Sequence, residues 1–240
     1  MNDVQSPGLT GGRAEAFERR MARWLSRLFW RVWRPIALRG QNEVRLETVL
    51  GTRIIVLPGV FNGVRLRTGE FLVATLDRSM CPPGGRALDM GTGSGIGAIF
   101  AARYAAHVVA TDINPEAVRC ARLNVLAQHL EDRIETRTGD LFEPVGGERF
   151  DLVLFNPPFY RGEPRHAPDQ AWRSPDAFDR FLAELPAHLT PGGRALVVLS
   201  SDGEIGAALA SAPHLAVRVV RERNLVNETL TVYELRAAGS

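Results

Sequence analysis

The 240-residue chain contains no lysine; all 29 of its basic residues are arginine, a bias of coding-sequence composition that carries no functional weight. Against 27 acidic residues the formal net charge is only +2, so bulk charge is a weak argument for a nucleic-acid partner. Cysteine is scarce. Cys81 and Cys120 are the only two, with no histidines at ligand spacing, which excludes a disulfide framework or a zinc site and leaves no metal expected. A reducing, cytoplasmic setting fits that usage. No run of about eighteen apolar residues occurs, and the N-terminus has neither the apolar stretch nor the small-residue cleavage site of a secretory signal. A soluble, unprocessed chain is expected. The five histidines show no arrangement with serine or cysteine that suggests a hydrolytic triad, and no repeat or low-complexity tract is present.

What is there suffices for one α/β core with a modest appendage, given the length and 45% hydrophobic content. The division expected is a basic helical extension over 1–47 and a single domain over 48–240. Residues 1–12 read as polar and disordered. Over 13–39, Phe17, Met21, Trp24, Leu25, Leu28, Phe29 and Val32 recur at helical spacing with arginines between them, an amphipathic basic helix ended by Pro35. A hairpin is expected over 43–48 and 52–57, turning at Gly51. The segment Gly59-Val60-Phe61-Asn62-Gly63 then leads to a helix over 68–76 with Thr68 as its cap. From Arg86 onward strand and helix alternate strictly, which predicts a parallel sheet with crossover helices. Strands are expected over 86–90, 107–111, 133–138, 150–155, 194–200, 216–221 and 229–235, and helices over 95–103, 115–128, 176–188 and 203–211. The last two strands have no room for a helix between them and should pair antiparallel at an edge.

Chemistry concentrates at strand ends. Asp89-Met90-Gly91-Thr92-Gly93-Ser94-Gly95 follows the first strand of the alternating region, where glycines permit a tight turn and let the backbone approach a ligand at a helix start. Gly93 to Ala98 also fits the G-x-G-x-x-A form of a dinucleotide site, and Asp112 at the next strand end can hold a ribose diol in either case. Asp89 favours S-adenosylmethionine, because a carboxylate before the glycines repels a pyrophosphate but serves a sulfonium and an amino group. Asp140 is placed to accept from an adenine amino group, with Leu141 and Phe142 against the ring. The expected cofactor set is Thr68, Glu70, Asp89, Gly91, Thr92, Gly93, Gly95, Asp112, Ile113, Asn114, Asp140, Leu141, Phe142 and Asn156.

The run Phe150 to Phe155 ends in Asn156-Pro157-Pro158-Phe159, and here the chain resembles class I methyltransferases that modify exocyclic amino or side-chain amide nitrogens. The resemblance implies an α/β fold: a Rossmann-like, doubly wound, seven-stranded, mostly parallel sheet with an antiparallel edge hairpin. It also implies that the Asn156 side-chain oxygen and the Pro157 carbonyl each accept one N–H of a planar nitrogen, localising a lone pair that conjugation would otherwise hold. Phe159 would stack on the flat acceptor and Tyr160 would share that wall. Within the class the chain is similar to HemK-type glutamine methyltransferases and small-domain RNA methyltransferases over roughly residues 48–235. By that match Thr68 and Glu70 line the pocket. Three departures stand out: no proline in the segment Arg67 to Phe71, phenylalanine in place of tyrosine at Phe159, and one arginine-rich helix in place of a multi-helix N-terminal domain.

The acceptor expected from the resemblance is a protein glutamine amide; alternatives are an adenine or guanine amino group in RNA, a small molecule, or a non-catalytic cofactor- or RNA-binding module. The polar stretch Tyr160 to Asp176 reads as a substrate rim or as a solvated loop. The helix over 13–39 has three readings: packing on the fold, contact with RNA, or attachment at a membrane surface.

Overall fold

The computed structural model describes residues 43–63, 65, 67–164, 169, 171–225 and 228–239, so the polar stretch 1–12 and the basic helix expected over 13–39 lie outside the described residues. Two strands, β1 (Arg45–Val49) and β2 (Thr52–Val56), form an antiparallel hairpin in register from Arg45↔Val56 to Val49↔Thr52. Its two-residue turn, Leu50 and Gly51, has φ of 45° and 82°, the left-handed pair that a tight hairpin of this twist needs. The expected domain boundary between 47 and 48 falls inside β1, and a division there would cut the hairpin in two.

The hairpin docks on the fold through one buried amide. Asn124, 0% exposed, accepts from Ile55 N–H (2.7 Å) and donates to the carbonyls of Ile55 (2.6 Å) and Ser94 (2.8 Å). That saturates most of the amide's capacity and ties strand, helix and glycine turn together. Next comes α1 (Thr68–Val73), shorter than expected. Arg67, with φ 63°, occupies its N-cap position and Thr68 is the first helical residue, so Thr68 does not cap. Its hydroxyl has another partner.

The alternating region gives β3 (Arg86–Met90), α2 (Ile96–Ala101), β4 (His107–Asp112), α3 (Pro115–Ala127), β5 (Ile134–Thr138), β6 (Phe150–Phe155), α4 (Ala177–His188) and β7 (Leu189–Ser200), then β8 (Leu215–Asn224) and β9 (Thr229–Ala237). Asn114 caps α3 by accepting from Glu116 N–H, with Pro115 at the first helical position. Where a helix was expected over 203–211 the chain forms only a 3-10 turn, Gly206–Ser211. The seven-stranded sheet runs β5-β4-β3-β6-β7-β9-β8, parallel except for the pairs β7–β9 and β8–β9. The expected antiparallel edge pair is present, with β9 inserted between β7 and the edge strand β8.

Alternation along the central strands sorts side chains to two faces. Ala87, Val108, Ala110, Leu152, Leu154, Leu196 and Val198 join the core under α1, α2 and α3. Leu88, Met90, Val109, Val153, Phe155, Ala195 and Val197 join the core under α4. Both faces are apolar, as a sheet covered by helices on each side requires. The strand order reverses between β3 and β6, and their register sets Met90 opposite Phe155. Gly91 and Asn156, the next residue on each strand, therefore emerge side by side at the switch point, where open α/β sheets bind ligands.

Candidate active site

At that point lies a cavity of about 380 Å³, inside the roughly 300–1,000 Å³ range of small-molecule sites. One wall is the glycine turn. Gly91 and Gly93, with φ of 63° and 55°, line it, and the whole turn is fixed by backbone bonds from Thr92 N–H to Thr111 O (2.8 Å) and Gly95 N–H to Thr92 O (2.8 Å). Asp112 lines the next wall. Its Oδ2 accepts from Gly93 N–H and its Oδ1 from Asn114 N–H, both at 2.9 Å, and the Ile113 amide also acts on it, while the carboxylate keeps acceptor capacity for a diol. Burial pushes the Asp112 carboxyl up, and the amide donors of Asn114 and Gly93 pull it back. Ile113, half exposed at 50%, and Leu141, with φ 46°, add apolar wall beside it.

Asp140 also lines the cavity, and its Oδ2 accepts from the Arg180 guanidinium at 2.7 Å. Arg180 pairs as well with Asp176 (3.3 Å), so the first turns of α4 close this side. Asn156 and Pro158 form the opposite side. The Asn156 Nδ2 donates to Thr68 Oγ1 at 3.1 Å, whereas its Oδ1 is buried and accepts no hydrogen bond from the described residues. A buried amide oxygen without a donor is costly, on the order of 1–3 kcal/mol, so the site is built to receive one.

Several residues expected here lie elsewhere. Asp89, 5% exposed, does not line the cavity: its Oδ2 accepts from Thr92 Oγ1 (2.6 Å) and Ala98 N–H (2.8 Å), and a Cβ at Gly97 would stand 2.1 Å from its Oδ1. It braces the turn and the start of α2 rather than facing a cation. Burial raises its carboxyl to about 6, opposed by the two donors. Thr92 is correspondingly spent on Asp89. Gly95 sits outside the cavity, where an added Cβ would meet the Ala121 Cα at 3.0 Å; its role is close packing against α3. Phe142 is core, stacked on His188 at 4.2 Å and on Phe181 at 5.7 Å. Glu70 is half-buried on α1 away from the lining.

The acceptor-side aromatics are displaced too. Phe159 packs against the α4-side core, and its carbonyl accepts from Glu204 N–H, so it is not a cavity wall. Tyr160 donates its hydroxyl to Asp202 (3.2 Å) and lies under the Arg173 guanidinium. Pro157 is buried between the two lining residues. The aromatic wall is instead Phe61, braced edge-on by Trp172 with centroids 5.0 Å apart, and Phe155. Phe61 belongs to the segment read only as a connection; its flanking glycines, Gly59 and Gly63, were the one signal available. The stretch after the motif does form a rim, since Glu163, Pro164, Ala171, Arg173, Ser174, Pro175 and Asp176 line the cavity. Backbone bonds Tyr160 N–H to Trp172 O and Ser174 N–H to Tyr160 O close that stretch at its base.

The family model of the methyltransferase small domain matches residues 51–225. The chain belongs to that family. As a methyltransferase small-domain protein it is an S-adenosylmethionine-dependent methyltransferase, with the class I fold. A release factor glutamine methyltransferase from Cereibacter sphaeroides is 35% identical over 212 residues, 76% of each chain. A ribosomal RNA small subunit methyltransferase C from Alcanivorax borkumensis is 34% identical over 57% of this chain and 39% of its own, and a ribosomal protein uL3 glutamine methyltransferase from Bradyrhizobium diazoefficiens 37% identical over 50% and 42%. The chain thus spans about two-fifths of the length of the latter two. Among solved structures, the T. thermophilus 16S rRNA N2 G1207 methyltransferase in complex with AdoMet and guanosine shares the fold at TM-score 0.62, 22% identity, 80% of this chain and 50% of that one. Among the described residues no helix is long and apolar enough to cross a membrane, and no cluster of potential metal ligands occurs.

Proposed function

We propose that the chain methylates a planar nitrogen and that its acceptor is the side-chain amide of a protein glutamine. The observation that carries this reading is the buried, unpartnered Oδ1 of Asn156 on the cavity wall. It is the acceptor that an N–H of such a nitrogen would satisfy. Asp112 would hold the ribose hydroxyls of S-adenosylmethionine, Asp140 its adenine amino group between Ile113 and Leu141, and Gly91 and Gly93 would admit it against bare backbone. When bound, the cofactor supplies an electrophilic methyl group on a sulfonium centre.

The chain's own task is to make a poor nucleophile serviceable. An amide nitrogen shares its lone pair with the carbonyl, and no side chain in the cavity is a strong base for it. Asn156 Oδ1 and the Pro157 carbonyl, which accepts no bond from the described residues, would each take one N–H and hold the nitrogen's lone pair out of conjugation. Phe61, not Phe159, would face the flat group, with Trp172 behind it.

The glutamine reading is supported by the release factor glutamine methyltransferase, which matches 76% of this chain and 76% of its own. A second reading, an exocyclic amino group of RNA, is supported by the ribosomal RNA relatives and by the arginine-rich sequence over 13–39. The test is incubation of the full chain with methyl-tritiated S-adenosylmethionine and lysate from cells lacking it. Label removed by protease, and found by mass spectrometry on a glutamine, is expected. Label removed by ribonuclease instead would overturn the glutamine assignment in favour of RNA.

A further inference from the structure

An asparagine that is to meet an N–H with its oxygen needs its side chain held in one place by a neighbour. With oxygen toward the acceptor, Asn156 accepts an N–H; rotated by a half-turn, it opposes N–H with N–H. The neighbour here lies 88 residues earlier in the chain. Thr68 Oγ1, on a residue 3% exposed, takes the Nδ2 hydrogen at 3.1 Å, and Oδ1 is the end without a partner among the described residues.

Thr68 is held for that task by everything around it. It is the first residue of α1 and makes no cap of its own. Gly69 N–H bonds the Gly63 carbonyl at 3.0 Å, and a Cβ on Gly69 would crowd that carbonyl carbon at 3.3 Å, so the start of the helix is seated tightly. At the other end, Arg221 Nη1 donates to the Ala74 carbonyl at 2.7 Å, and the Arg221 and Arg223 guanidiniums cover the ring of the fully buried Phe71. Arg67 is driven to φ 63°, a conformation that costs a non-glycine residue about 1 kcal/mol. A tertiary frame therefore overrides a local preference at the residue next to Thr68.

We infer that Thr68 is the positioning residue that holds the Asn156 amide in place at the cavity wall, where its oxygen can meet the methyl acceptor. This rests on the reading of Asn156 as the acceptor's hydrogen-bond partner. Loss of the hydroxyl frees the amide to rotate and removes part of the productive population before any chemistry, while the cofactor's contacts stay in place.

The experiment compares Thr68→Val, Thr68→Ser and Asn156→Ala in the full chain, using the lysate fraction that the tritium assay labels. Thr68→Val should lower kcat by roughly 10-fold or more, as misplacement of a reacting group does, with the affinity for S-adenosylhomocysteine by calorimetry unchanged within about 2-fold. Thr68→Ser keeps the acceptor and should restore kcat to within about 3-fold of the parent. Should Thr68→Val not fold, Thr68→Ala carries the same expectation. In ¹⁵N–¹H spectra the Asn156 Nδ2 hydrogens, assigned by their loss in Asn156→Ala, should lose exchange protection in Thr68→Val and keep it in Thr68→Ser. Equal kcat in all Thr68 variants, equal losses in the valine and serine forms, or unchanged protection would each overturn the inference. Full activity of Asn156→Ala would sink the parent reading instead, and the spectra would still report whether Thr68 holds the amide.

Discussion

Replacing Asp89 by asparagine separates a cofactor ligand from a structural brace. In the folded state burial lifts the Asp89 carboxyl from 3.8 to about 6. The folded protein therefore binds more protons than the unfolded chain between those values, and this group's contribution makes stability fall as pH rises through the window. At 1.36 kcal/mol per pH unit the ionised group costs the fold about 3 kcal/mol above pH 7 relative to its protonated form. Asparagine keeps one oxygen for Thr92 Oγ1 and Ala98 N–H and carries no charge to desolvate. In urea unfolding from about pH 4 to about pH 8, the stability of Asp89→Asn minus that of the parent should increase with pH by up to about 3 kcal/mol and level off. Titrating groups other than Asp112, which repels the Asp89 carboxylate, cancel in the difference. Because Asp89 lies outside the cavity, affinity for S-adenosylhomocysteine at neutral pH should change by less than about 3-fold, against the roughly 10-fold expected for loss of a charged contact. A stability difference that shrinks with rising pH would refute the electrostatic reasoning; a large loss of affinity would restore Asp89 as a ligand.

Two further substitutions probe the frame. Gly97→Ala would set a methyl 2.1 Å from Asp89 Oδ1 and push the carboxylate off both its donors, so a loss of about 3 kcal/mol or more is expected in urea unfolding, and a parent-like midpoint would count against the packing seen there. Asn124→Ala strands the Ile55 N–H and the Ser94 carbonyl and should cost about 3 kcal/mol. Hydrogen exchange should show the β1–β2 hairpin opening ahead of the sheet; unaltered Ile55 protection would mean that the amide does not anchor it.

Where local rules govern, the sequence sufficed. Glycines at alternate positions after an apolar strand specify a turn that only they can make, and Gly91, Gly93 and Gly95 all carry positive φ. The strict alternation of strand and helix patterns after Arg86 placed most strands and α3 within a few residues. Asn156 and Asp112 fall at strand ends, and strand ends are where such a sheet presents ligand groups. The direction in which a side chain leaves such a turn is another matter, because it depends on what packs behind it. Phe142 was expected against the adenine and Phe159 against the acceptor, yet α4 and the 3-10 turn after β7 offer them core, and burial of an aromatic ring is worth more there than exposure in a cavity. Asp89 precedes the glycines as expected, but the α2 amide and the Thr92 hydroxyl reach it first.

The sequence by itself determined the alternating fold, the glycine turn and the asparagine at the fourth strand of the parallel run, since each is written in neighbouring residues. Only the tertiary structure decided that β9 lies inside β8, that Trp172 packs edge-on against Phe61, and that Thr68 holds one end of Asn156. Those contacts join segments far apart in the chain, and their formation depends on the sheet order and helix packing that bring the segments together.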